Sequence, residues 1–163
     1  MNLAVGEIIV YPHHGAAKIV KIEKRKFLGV KEQHLQLHVT TGDLTIWLPF
    51  SKIEAVGIRA VIDAKGLKKV VTILQEEFVD EPTNWSRRYK ANLEKVQSGD
   101  VYKISEVVRD LWRRELDKVL SAGEKRMLAK ARQFLVDEIA LSKKVDAEKA
   151  NAYLETQLAG KKK

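Results

Sequence analysis

The residues best placed to do chemistry are cations beside an aromatic ring. The run Trp85-Ser86-Arg87-Arg88-Tyr89-Lys90 sets three positive charges next to an indole, and Lys125, Arg126, Lys130 and Arg132 form a second basic cluster. Both clusters fall at the starts of predicted helices, where free backbone N–H groups add to the attraction for phosphate. This is the chemistry of nucleic-acid binding: cations hold the backbone while an aromatic stacks on bases or wedges between them. Trp85 admits two readings. Four residues ahead of Tyr89, it can sit on the apolar stripe that continues to Leu93, or it can stand exposed at the helix tip beside the three cations. Between Trp85 and Arg132 thirteen basic residues oppose seven acidic ones, so this stretch carries most of the net charge of +8. The helix between the clusters interleaves its charges, as in Asp110 with Arg114 and Glu106 with Arg109, which reads as an ordinary solvated face.

Other chemistries find little support. The chain has no cysteine, which excludes a disulfide scaffold, a thiol nucleophile and any Cys-type zinc site. His13 and His14 are adjacent in a turn, and His34 and His38 are four apart on a predicted strand, so neither pair has the spacing of a metal site on a helix. No nucleophile elbow, phosphate loop or dinucleotide fingerprint is present. The expectation is a non-enzymatic protein with no catalytic residue, no metal or other cofactor and no small-molecule substrate. No long uncharged apolar run and no leader-like N-terminus appear, which predicts a cytoplasmic protein without a membrane span.

Positioning these clusters requires a folded scaffold, and 163 residues at 45% hydrophobic and 32% charged can bury one. The hydrophobic period changes along the chain. Ile8 to Tyr11, Ala17 to Lys26, Gln33 to Thr40 and Leu44 to Leu48 are β-rich runs separated by turn signals, which predicts a small curled barrel. Alternation points Val20, Ile22, Leu35, Leu37, Val39, Leu44, Ile46 and Leu48 inward, and Arg25, His34, His38 and Trp47 outward. A short helix is predicted over Gly66 to Leu74, then an acidic connector from Glu76 to Pro82, then four helices. Thr83 or Asn84 can cap the first, Asp100 the second, the Ser121 to Glu124 capping box the third, and Asp146 the last. Tyr89, Leu93 and Val96, then Val101 through Leu116 and Val119, then Met127 through Ile139 form core stripes. The expected architecture is α+β in two domains, residues 1–55 as the β domain and 56–163 as the helical domain, with a junction over about 56–82.

Several stretches resemble the CarD family of bacterial transcription regulators, especially its actinobacterial members. They are Val10-Tyr11-Pro12-His13-His14-Gly15-Ala16-Ala17, Gly42-Asp43-Leu44-Thr45, the run from Glu81 to Lys95, Val107 to Arg114 and Leu120 to Arg132. The resemblance covers nearly the whole chain in order and weakens near Lys26 to Gln33 and after Leu141. It implies a Tudor-like N-terminal barrel that binds the β subunit of RNA polymerase and a helical domain that contacts promoter DNA in the minor groove without sequence specificity, placing the protein on the nucleoid. Carried over by position, Arg25 matches a polymerase-contacting strand residue, whereas related chains carry an arginine where Trp47 stands here. Trp47 is retained as an apolar anchor of the same surface. Trp85 matches the family's DNA wedge, and Arg87, Arg88, Lys90 and Lys125 match its phosphate-contacting surface, to which Arg126 and Lys130 are added from the neighbouring helix start. The implied function is stabilisation of the open promoter complex at the upstream edge of the bubble. The rival readings are a free-standing nucleic-acid binder and a protein-interaction scaffold.

Overall fold

The computed structural model describes residues 3–77 and 82–160. The chain divides into two compact units at Val61 and Ile62. In the first unit β1 (Ile8–Tyr11), β2 (Gly15–Phe27), β3 (Val30–Val39), β4 (Leu44–Pro49) and β5 (Arg59–Ala60) form one sheet in the order β4-β3-β2-β1-β5, with every neighbouring pair antiparallel. The unit thus runs past residue 55, because β5 pairs with β1 after a 3-10 turn (Phe50–Lys52) and the short helix α1 (Ile53–Val56). The turn between β2 and β3 depends on left-handed backbone. Leu28 and Gly29 have φ of 50° and 79°, the requirement of a two-residue turn that joins the directly paired Phe27 and Val30.

Ile9, Ala17, Ile19, Leu35, Leu37, Val39, Leu48 and Ile58 make the core of this unit. Val20 departs from the expected alternation and is 40% exposed. The register passes from Ile19 opposite Leu37 to Lys21 opposite Gln36, so Val20 is an extra residue in a bulge and Ile19 takes the core position. Beyond the bulge the alternation resumes, with Ile22 opposite Leu35 and Arg25 opposite Glu32. Leu44 is exposed at the start of its strand. His34 lies on the face opposite the core, as the alternation predicts, but it is buried there, with its Nδ1 3.0 Å from the Glu32 carbonyl oxygen.

The second unit contains α2 (Ala64–Leu74), α3 (Trp85–Gln97), α4 (Val101–Asp117), α5 (Ala122–Lys143) and α6 (Ala147–Ala159). Each start is capped by a short polar side chain that accepts from the first turn. Asp63 accepts from Gly66 N–H at 2.8 Å, Asn84 from Arg87 N–H at 3.2 Å, Asp100 from Tyr102 N–H at 2.8 Å and Asp146 from Lys149 N–H at 2.8 Å. At α5 Ser121 and Glu124 form the reciprocal capping box. The expected stripes meet in one core that includes Val70, Val96, Val108, Leu111, Ala131, Leu135 and Leu154.

The predicted α4 stripe is two residues too long at its end. Leu116 and Val119 are 67% and 87% exposed, because α4 stops at Asp117 and Lys118 turns to extended backbone, after which Leu120 enters the core. The tail Lys161 to Lys163 and most of the acidic connector, with Glu81, lie outside the described residues. No described helix is long and apolar enough to cross a membrane.

Candidate functional site

Asn84 fixes where α3 begins, and so places Trp85 at its first position. The indole stacks on Tyr89, with ring centres 5.2 Å apart and planes 19° from parallel, as the four-residue spacing allows. It nonetheless remains 47% exposed. The two readings of Trp85 therefore combine: one face lies along the apolar stripe and the rest of the ring is open to solvent. The indole N–H donates to Glu124 Oε1 at 3.3 Å, which ties the α3 tip to the first turn of α5.

Glu124 is the node of this junction. Its Oε1 accepts from the Ser121 N–H at 3.3 Å and the Ser121 hydroxyl at 3.1 Å, while Oε2 accepts from Arg88 Nε at 3.4 Å. Burial opposes ionisation of the carboxyl, but the hydrogen bonds from Ser121 and Trp85 and the charge of Arg88 outweigh it and hold Glu124 below its ordinary pKa. Next to it, Gly123 lets the α5 backbone approach closely, since a Cβ there would stand 3.2 Å from Tyr89 Cε2.

Arg88, expected on the phosphate-contacting surface, is 3% exposed. Its guanidinium donates to Glu124 and, at 3.4 Å, to the Thr83 carbonyl. Helical geometry explains the correction: with Arg87 and Lys90 outward, Arg88 points toward α5, where a buried carboxylate meets it. Arg87, Lys90, Lys125, Arg126 and Lys130 are exposed, and Lys130 Nζ lies 5.8 Å from the Phe134 ring centre. The Trp85–Glu124 bond thus links the start of α3, with exposed Arg87 and Lys90, to the first turn of α5, with exposed Lys125 and Arg126. Lys130 lies further along α5 beside Phe134. Sequence reasoning took Glu124 only as a cap and did not see its bonds to Trp85 and Arg88, which join positions 39 and 36 residues apart.

In the first unit the guanidinium of Arg25 lies over the Trp47 ring, 4.0 Å from its centre. The two border a recess of about 280 Å³ that is also lined by Lys26, Phe27, His34 and Pro49. Arg25 is exposed and Trp47 half-buried, both on the face opposite the sheet's core. His34 shares this face, as the alternation predicts, and Phe27 joins it without having been read from the sequence. Among the described residues no cluster of histidine, cysteine and acidic side chains could hold a metal ion.

Two family models match the chain. That for the CarD C-terminal domain spans residues 69–155, and that for the CarD-like/TRCF RID domain spans residues 3–62. The chain is similar to the putative transcription factor YdeB of Bacillus subtilis (strain 168), with 37% identity over 149 residues, covering 91% of this chain and 97% of that protein. Among solved structures, the solution NMR structure of the 72-residue N-terminal domain of Myxococcus xanthus CarD matches at 27% identity with a TM-score of 0.33. It covers 36% of this chain and 79% of that one.

Proposed function

The chain belongs to the CarD family of transcription factors, which are not enzymes, and carries that family's polymerase-interacting domain at its N-terminus; from that premise we propose that it stabilises the open promoter complex. In this reading the N-terminal sheet docks on the polymerase β subunit through Arg25 and Trp47. The helical unit then presents Trp85 to the minor groove at the upstream edge of the transcription bubble. Arg87, Lys90, Lys125, Arg126 and Lys130 hold backbone phosphates and set the depth of the indole. Arg88 belongs to the support beneath them.

The observation that carries the proposal is the half-exposed indole of Trp85, stacked on Tyr89 and hydrogen-bonded to Glu124, at a junction of two helix starts that carry exposed cations. An aromatic seated at an unstacked step occupies space that must be vacated before the strands re-anneal, and that step exists only in the open complex. Attachment to polymerase raises the local concentration of an otherwise weak and sequence-indifferent binder. If the wedge contributes about 1.4 kcal/mol more to the open than to the closed complex, the equilibrium moves about tenfold. A promoter limited by unstable opening gains output, and one limited by escape loses it.

The test is the lifetime of open complexes formed with polymerase and full-length protein. Trp85→Ala is expected to shorten it while co-purification with polymerase is retained. An unchanged lifetime with a folded variant would reject the wedge.

A further inference from the structure

The Ser121 cap engages only Oε1 of Glu124, yet the carboxylate also serves two groups on another helix. Oε1 receives the indole N–H of Trp85, and Oε2 receives Arg88. The carboxylate is itself held on several sides: it is buried, anchored to Ser121 and charge-paired with a guanidinium that is equally buried. Trp85 is thus held at two points, its face on Tyr89 and its N–H on Glu124, although nearly half of its surface is free.

We propose that Glu124 is a positioning residue that sets the orientation in which Trp85 meets DNA, an inference that rests on the reading of Trp85 as the wedge. Stacking on Tyr89 alone leaves the indole free to slide and turn in its plane, whereas a directed N–H bond removes that freedom. Ordering the ring before DNA arrives takes that entropic cost out of the binding step. The first turn of α5 then has two functions: Glu124 aims the ring, and the adjacent Lys125 and Arg126 reach phosphate. Gly123 keeps this turn close against Tyr89, so that ring, indole and carboxylate are fixed relative to one another.

The experiment uses the full chain with two readouts: the Trp85 indole N–H resonance in the free protein, and open-complex lifetime with polymerase holoenzyme on a promoter fragment. Because Glu124 alone cannot be neutralised without stranding the charge of Arg88, the variants are made in an Arg88→Met background. There Glu124→Met, which removes every acceptor, is expected to move the indole resonance and shorten the lifetime about five- to tenfold. Glu124→Gln, which keeps a carbonyl for the N–H, is expected to restore most of both. In a further Trp85→Phe background the Met and Gln variants should have equal lifetimes, since no N–H remains to be oriented. The proposal is overturned if the folded Met and Gln variants share one lifetime with Trp85 present, or if they differ equally with Phe at position 85. A shifted resonance together with a Trp85→Ala variant of normal lifetime would instead reject the wedge itself, leaving Glu124 to orient an indole that DNA does not use.

Discussion

The guanidinium of Arg25 on β2 lies 4.0 Å from the centre of the Trp47 ring on β4, reaching across β3, which runs between them. A cation over an indole face at this distance contributes about 0.5–1 kcal/mol at an exposed site and holds both groups in one orientation. At position 47 this chain has a ring that keeps a neighbouring arginine in place. Arg25 therefore presents its positive charge in a fixed orientation on the surface proposed to meet polymerase. The two side chains should act as one unit. Trp47→Ala is expected to weaken polymerase binding by on the order of 2 kcal/mol, and Arg25→Glu to weaken it through repulsion. Their combination should cost less than the two separate losses together, as measured by titration of polymerase in a double-mutant cycle. Strict additivity would separate the residues functionally.

A second prediction concerns stability. Arg109 is 1% exposed and donates to Asp110 at 2.8 Å, to Glu76 at 3.0 Å and to the Ile73 carbonyl at 3.0 Å, so α4 satisfies the end of α2. Arg113 adds a bond to the Leu74 carbonyl at 3.3 Å. Arg109→Ala leaves Asp110 and the Ile73 carbonyl without this partner, and is expected to destabilise the helical unit by roughly 3–5 kcal/mol in urea unfolding. Glu106→Ala, which removes only a half-exposed pair with Lys95, should cost under about 1 kcal/mol.

Arg109 also marks what the sequence could and could not reveal. Spacing alone paired it with Glu106 on a solvated face, since i, i+3 neighbours are all that a helical pattern displays. Its actual partners include a helix end 36 residues away. Caps were legible because they are local: Asn84, Asp100, Ser121 with Glu124 and Asp146 all act within three residues. The core stripes were legible for the same reason, until α4 ended before Val119. Val20 was misread because one extra residue in a strand leaves no mark in an alternating pattern. At the candidate site the exposed cations and the indole could be read directly, whereas the burial of Arg88 and the reach of Glu124 depend on how α3 meets α5.

The acid side of the stability profile should carry the signature of Glu124. Its folded pKa lies below the ordinary value of 4.5, so it contributes stability that is fully present above that value and is lost as pH falls through the lower, folded value. Urea unfolding of the wild type should show stability declining with acidification in that window. Glu124→Gln is expected to be less stable at neutral pH and to show a shallower decline, so the two curves converge in acid. Parallel curves would mean that the carboxylate is not favoured by folding.

The last prediction separates the two adjacent arginines of α3. Phosphate neutralisation releases counterions, so the logarithm of DNA affinity falls with the logarithm of salt concentration by about 0.9 for each phosphate engaged on a duplex. Arg87 and Lys125 are exposed on the linked helix starts, and Arg88 is enclosed beneath them with its charge already met by Glu124. Arg87→Ala and Lys125→Ala should each weaken duplex binding at low salt, lower the salt slope by about one and leave the melting temperature almost unchanged. Arg88→Ala should behave in the opposite way: the slope stays, because no phosphate contact is lost, while the melting temperature falls, because a buried carboxylate loses its counter-charge. Affinity in that variant should drop by a factor independent of salt, through the loosened support of Trp85. A reduced slope for Arg88→Ala would place its guanidinium on DNA and require the α3 tip to open on binding.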